Sequence, residues 1–391
     1  MEAWDLTLIG TTNYRNTNLK FGIKDQDRLA HIFCIGKTGV GKSTLLVNMA
    51  MSDICKGKGL AVLDPHGDAA QTLLGKIPLH RKKDLIYFAP ANTSNPTAFN
   101  PLHGVSPQHH HLVASGLVSV FKKVWGEISW GPRMENILRF VFLALLEYPD
   151  ATLLDIQPLL TKPNFRHEVL LKVKNEFTQA FWRDEFEKLT PSQRAEAISP
   201  ILNKTSVFRT SRPLMLTVGR KERGLSMQQV MDGSKVLICN FSKGMLGEEA
   251  SMIIGSMVVT FLQMSAMYRA RIAESRRIPF FLYIDESQSF VTQSFADLLS
   301  EARKYGLGIF MANQFLDQLN DKIRSAILGN VGTLISFRVG SKDAEELARE
   351  FFPIFDQVDL VHLPRFSMYL KLAIDGATSQ PFSADTLKQD Q

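Results

Sequence analysis

Residues 31–44 read HIFCIGKTGVGKST, and few stretches leave a chain so little choice of fold. The apolar run from His31 to Ile35 predicts a strand, Gly36 to Ser43 a glycine loop, and the residues after it a helix starting near Lys42. Strand, loop and helix in that order make a phosphate-binding P-loop. Gly36, Gly39 and Gly41 lack Cβ atoms, so the loop backbone, Thr38 and Val40 included, can close on a polyphosphate. The helix adds its unsatisfied N–H groups and its dipole. Lys42 is placed to reach the β and γ phosphates and the Ser43 hydroxyl to ligate Mg²⁺, while Thr44 completes the nucleotide-binding set by steadying the first turn. A G-x4-G-K-S match arises by accident in about one chain in a hundred of this size, so nucleotide binding is the reading taken.

A second stretch complements the first. Residues 278–286, IPFFLYIDE, form an apolar strand ending in two carboxylates. Asp285 is the expected Mg²⁺-holding residue and Glu286 the general base beside it. Kinases and switch GTPases need no base directly after this Asp, so the pair predicts repeated hydrolysis. The next strand, Leu307 to Ala312, ends at Asn313-Gln314, where Gln314 is the candidate sensor of the γ-phosphate. Arg303 and Lys304 close the preceding helix, predicted from a Ser294 cap to a stop at Gly306, and are candidates for an arginine finger offered to a neighbour; Arg338 competes for that role. A third strand end, Asp64-Pro65-His66-Gly67-Asp68, leaves two readings open. Asp64 and His66 face the nucleotide or a neighbour, or they build a turn.

The remaining chain fits around these motifs. Its 391 residues suffice for two or three compact units, and its net charge of +6 permits anionic partners without demanding them. A hairpin over residues 5–24 precedes the P-loop strand and is placed to cover a sheet edge. From about residue 106 the pattern turns helical for a hundred residues, so the predicted organisation is 1–105 (hairpin and first part of the core), 106–205 (inserted all-α domain) and 206–391 (second part of the core). Within the insertion, His109 to His111 are read as solvated or structural, and Trp125, Trp130 and Trp182 as packing residues. Cys34, Cys55 and Cys239 have no metal-ligand spacing and read as buried apolar residues in a reducing compartment. Neither a signal peptide nor a membrane span is recognised; the apolar stretch 252–267 reads as a buried helix. The chain is expected to finish with a strand over 367–374 and a frayed tail, TLKQDQ.

With both nucleotide motifs placed, the pattern resembles the HerA/FtsK superfamily of RecA-like ATPases, and within it the soluble motor part of type IV coupling proteins of the TraG/TraD kind. The resemblance rests on GKTGVGKST from Gly36, VLDPHGD from Val62, FNPL from Phe99, FLYIDESQSF from Phe281 and EARKYGLGIFMANQ from Glu301. It implies an α/β RecA-like core with an inserted all-α domain, ATP and Mg²⁺ as cofactors, and a homo-oligomeric ring, a hexamer, that moves DNA. By motif, Lys42 and Ser43 bind phosphate and Mg²⁺, Asp285 holds Mg²⁺, Glu286 is catalytic, Gln314 is the sensor and Arg303 is the finger. A relaxase or a secretion channel is the implied partner. The membrane helices that begin anchored coupling proteins are not seen here, so the expected location is cytoplasmic, with recruitment to the inner membrane by a partner. Two rival functions stand beside the DNA motor: a secretion ATPase that moves proteins, and a nucleotide-dependent assembly module without translocation.

Overall fold

In the computed structural model, residues 6–126, 129–222 and 224–388 are described. The chain packs as two units, one of Met1–Phe88, Met227–Phe241 and Leu262–Gln391, the other of Ala89–Ser226 and Ser242–Phe261. The helical unit defined by packing therefore begins earlier than the composition shift at 106 and also takes in later residues.

The first unit is built on an eleven-stranded sheet. Its strands are β1 (Leu6–Thr12), β2 (Lys20–Lys24), β3 (Ile32–Ile35), β4 (Gly59–Asp64), β5 (Leu85–Phe88), β6 (Val236–Asn240), β7 (Phe280–Ile284), β8 (Leu307–Asn313), β9 (Thr333–Ser336), β10 (Ser367–Lys371) and, after the small pair β11 (Ala373–Ile374) and β12 (Ala377–Thr378), β13 (Phe382–Thr386). Their order is β2-β1-β13-β10-β9-β3-β8-β7-β4-β6-β5. From β9 to β5 all neighbours are parallel. These strands are short apolar runs, and β3, β4, β6, β7, β8 and β9 are buried along their whole length, as parallel strands covered on both faces must be. The other four strands extend the sheet antiparallel, and β10 alternates between buried and half-buried residues. The expected mostly parallel α/β core is what the chain forms.

The N-terminal hairpin forms and occupies one edge of the sheet, from Leu6 onward; Asp5 lies outside the described residues. It is tied to the core through Thr7, whose hydroxyl accepts from Arg28 at 2.8 Å in a buried network. Arg28 grips both oxygens of Asp53, in the helix Lys42–Cys55, at 2.7 Å each, and the Tyr283 hydroxyl donates to the same carboxylate at 2.5 Å.

Four expectations are corrected. The segment 294–306 is not one helix: Gln293–Leu299 is helical from a start at Thr292, not Ser294, and Ala302–Tyr305 is a separate 3₁₀ turn. There the carbonyls of Lys304 and Tyr305 are taken by the side chains of Arg277 and Arg269, replacing the bonds a continuing helix would supply. The strand at 367 does not end the chain: β13 follows it and inserts between β1 and β10, so that of the tail 386–391 Thr386 closes a strand and the Leu387 carbonyl accepts from Asn48 at 2.8 Å; residues 389–391 lie outside the described residues. The predicted strand 367–374 divides into β10 and β11. Finally, Cys55 is exposed, being the last residue of its helix, whereas Cys34 and Cys239 are buried in strands.

The second unit contains no strand among its described residues. Helices His110–Trp125, Pro132–Glu147 and Pro191–Thr205 surround a core containing Phe121, Phe142, Trp182 and Phe208, all fully buried. The tryptophans pack as expected: Trp182 lies against Phe186, and Trp125 stacks on Trp130 and donates its ring N–H to Glu249. No cluster of metal-ligating residues exists among the described residues, and His110 bonds the Val105 carbonyl. Among the described residues, one helix, Glu248–Arg271, is long and apolar enough to cross a membrane, and 78% of its most apolar window is buried.

Candidate nucleotide site

The carboxyl ends of β3, β8, β7 and β4, four neighbours in the sheet, meet at one edge. Ligands of open α/β sheets bind at this edge, because the chain leaves the strands there in loops free of ladder bonds. The P-loop leaves β3. Gly39 has φ 76° and Gly41 φ 128°, values that L side chains rarely adopt. A Cβ on Gly41 would also stand 3.0 Å from the rings of Phe337 and Phe366, so the loop cannot tolerate one. Gly36 is required by space instead, with the Phe337 Cβ 2.7 Å from where its own would lie. The loop is braced by its neighbours: Gly36 N–H donates to the Asn313 carbonyl, Lys37 N–H to that of Arg338, and the Val40 carbonyl accepts from Phe366.

Lys42 is nearly buried, and its Nζ donates to the Gly36 carbonyl at 2.5 Å and the Lys37 carbonyl at 2.9 Å. Burial lowers its pKa, with Asp285 and Glu286 among the groups opposing the shift. An ammonium folded back on loop carbonyls has the donors and reach to exchange them for phosphate oxygens. Ser43 Oγ donates to Asp285 Oδ2 at 3.0 Å, so the two expected Mg²⁺ ligands already touch. Burial, followed by the charge of Asp64, raises the Asp285 pKa, as expected for a carboxylate desolvated beside another. A hydroxyl, a buried carboxylate and an inward-facing ammonium fit Mg²⁺ and a polyphosphate. Thr44 follows, half-buried, and lines a pocket of about 460 Å³ together with Arg365, Phe366, Ser367, Asp385, Thr386, Leu387 and Lys388.

Beyond Asp285 a row of hydrogen bonds crosses the four strand ends. Thr38 Oγ1 donates to Gln314 Oε1 at 3.2 Å, and Gln314 Nε2 to Glu286 Oε1 at 2.7 Å. His66 Nε2 lies 2.9 Å from that same oxygen. Gln314 and Glu286, predicted separately, are therefore brought together. The turn reading of the 64–68 loop holds, and His66 meets a residue of its own chain. Asp64, 1% exposed, builds the turn by accepting from the N–H groups of His66 and Ala70, while His66 reaches Glu286. Arg303 is not brought to this edge. It is exposed in the 3₁₀ turn before β8, so the seven residues of β8, about 23 Å of strand, separate it from Gln314. Lys304 shares that turn, whereas Arg338 is half-buried directly beside the P-loop. Two features had no sequence signal: the Thr38–Gln314 contact, which joins residues 276 apart, and the pocket at Thr44, whose walls come from the last 30 residues.

No family model and no curated protein matches the chain. Solved structures do. The bacterial conjugative coupling protein TrwBdeltaN70 in its unbound monoclinic form aligns with 14% identity and a TM-score of 0.70, covering 100% of this chain and 90% of that one. The plasmid coupling protein TrwB in complex with ADP and Mg²⁺ aligns with 16% identity and a TM-score of 0.67, covering 93% and 87%. VirB4 of Thermoanaerobacter pseudethanolicus aligns with 13% identity and a TM-score of 0.64, covering 98% and 96%. The chain thus has the coupling-protein type of RecA-like P-loop fold over its whole length, and the resemblance seen in its motifs holds at the level of the fold.

Proposed function

We propose that this chain hydrolyses ATP at the β3–β8–β7–β4 edge and, as a homo-oligomeric ring, uses the energy to move DNA in conjugative transfer, mobilisation or related DNA processing. The observation that carries the ATPase reading is the convergence of the P-loop, the Ser43–Asp285 pair and the Glu286–Gln314 pair on four adjacent strand ends. The fold shared with the conjugative coupling protein TrwB, solved with ADP and Mg²⁺, supports ATP as substrate and conjugation as the process. Ser43 and Asp285 would hold Mg²⁺, which neutralises charge on the phosphates when bound. Lys42 exchanges loop carbonyls for phosphate oxygens, and Glu286 orients the attacking water and accepts its proton. Gln314 links Glu286 to the P-loop through Thr38 and so reports the nucleotide state. The pocket at Thr44 takes the base, with the Phe366 ring as one wall. Arg303, exposed and remote from its own site, serves the site of a neighbouring subunit. The packed units take the roles expected of a motor core and a helical insertion.

The test is ATPase rate against protein concentration, with and without single- and double-stranded DNA, at two salt concentrations. Cooperative activation by DNA that fades with salt is expected, since phosphate contacts release counterions. Turnover indifferent to DNA at every concentration would remove DNA as the substrate and leave a protein substrate or an assembly switch.

A further inference from the structure

His66 is the outermost member of the row that holds Glu286, and the proposed chemistry gives it no role. Glu286 has φ 46° and ψ 61°, a left-handed conformation that a residue with a Cβ rarely adopts and that persists only where the surroundings enforce it. Two side chains approach its Oε1 from opposite neighbours in the sheet, Gln314 beyond β8 and His66 beyond β4. The imidazole is presented by a turn with little freedom. Its own backbone N–H is bonded to buried Asp64 at 2.8 Å. Gly67, next in the chain, has φ 96°, and a Cβ there would come within 2.8 Å of Asn240 Oδ1. The Glu286 side chain is 10% exposed, whereas that of His66 is 52% exposed. The row therefore runs from the P-loop to a solvent-facing end.

We infer that His66 is a positioning residue for Glu286: its Nε2–H holds the carboxylate in the strained geometry from which Glu286 addresses the attacking water. The inference rests on the assignment of Glu286 as the base. An ordinary half-exposed ion pair contributes little and leaves the rate alone. A positioning contact acts on the chemical step, because a carboxylate displaced by about 1 Å loses up to a hundredfold in rate. The contact needs an N–H donor at the Nε2 position, not a charge, and a glutamine amide can supply one.

The experiment compares His66→Ala, His66→Gln and Glu286→Gln for ATP turnover and for affinity toward a non-hydrolysable ATP analogue, which also reports folding. Expected is a drop in kcat for His66→Ala on the order of ten- to a hundredfold. Its KM and analogue affinity should stay within about twofold, and His66→Gln should recover most of the rate. Wild-type kcat in His66→Ala while Glu286→Gln is inactive overturns the inference and leaves the base assignment standing. Active Glu286→Gln overturns both. Equal loss in His66→Ala and His66→Gln with analogue binding intact also overturns it, since the donor would then not be what matters.

Discussion

Two carboxylates in the same sheet unit are held in opposite ways. Asp53 is 0% exposed and gripped by the Arg28 fork, with the Tyr283 hydroxyl on the same carboxylate, and the guanidinium lies 3.6 Å from the centre of the Phe281 ring. Glu286 sits on a left-handed backbone, bonded to an amide and to a half-exposed imidazole. The first arrangement is closed and lies on ordinary helix geometry; the second is strained and open at one end. A paired charge buried from solvent stabilises one arrangement of the fold, whereas a carboxylate kept strained at a strand end is available to a reactant.

The largest effect that would sharpen this contrast is on stability. Asp53→Asn removes the main counter-charge of a buried guanidinium, leaving it Asp25 at 3.4 Å, and should destabilise the protein by about 3 kcal/mol. Chemical denaturation measures this, and the folded fraction should retain its turnover. Loss of activity without loss of stability would break the division of labour.

Next comes pH. His31, on the same side of the unit as Arg28, is buried with Nε2 on the Leu299 carbonyl; burial lowers its pKa to about 4, the Leu299 bond opposes the shift and Arg303 adds to it. The unfolded chain takes up a proton near pH 6.5 that the fold refuses until about pH 4. Stability from this group is therefore full above pH 6.5 and falls as pH drops, by about 3 kcal/mol in all. His31→Asn tolerates the local φ of 66° and should remove that part of the slope, measured as the difference in unfolding free energy between pH 7 and pH 5.

Much of the site is legible in the sequence because its parts are local. The P-loop needs one strand, one loop and one helix in succession, and Asp285-Glu286 needs only the end of an apolar strand. What joins them is not local. The pairing of β13 with β1 brings Asp385 against Thr11, and the polar run FSADT carries little strand signal of its own. The broken helix at 300–306 is equally hidden, since arginines far along the chain satisfy its carbonyls. His66 could be noticed at a strand end, but its partner becomes evident only once β4 and β7 are known to be neighbours.

Smaller effects probe the nucleotide end. Phe366→Ala removes a wall of the pocket at Thr44 and should weaken ATP and ADP binding alike by about threefold to tenfold, with little change in kcat; unchanged affinity in a titration would place the base elsewhere. Thr38→Val deletes one exposed hydroxyl donor to Gln314, worth about 1 kcal/mol at most, and should lower turnover by less than about tenfold. A larger loss would mean that the row is more tightly coupled than its geometry suggests.

The most direct measurement is made on Glu286→Gln, with ATP binding and ATP turnover followed on the same preparation. A glutamine keeps the shape of the side chain and cannot accept the proton. Binding should match the wild type, and turnover should fall about 10²- to 10⁴-fold. Hydrolysis at the wild-type rate by this folded, ATP-binding variant would contradict the account, since the strained carboxylate would then be ornament to a reaction carried out without it.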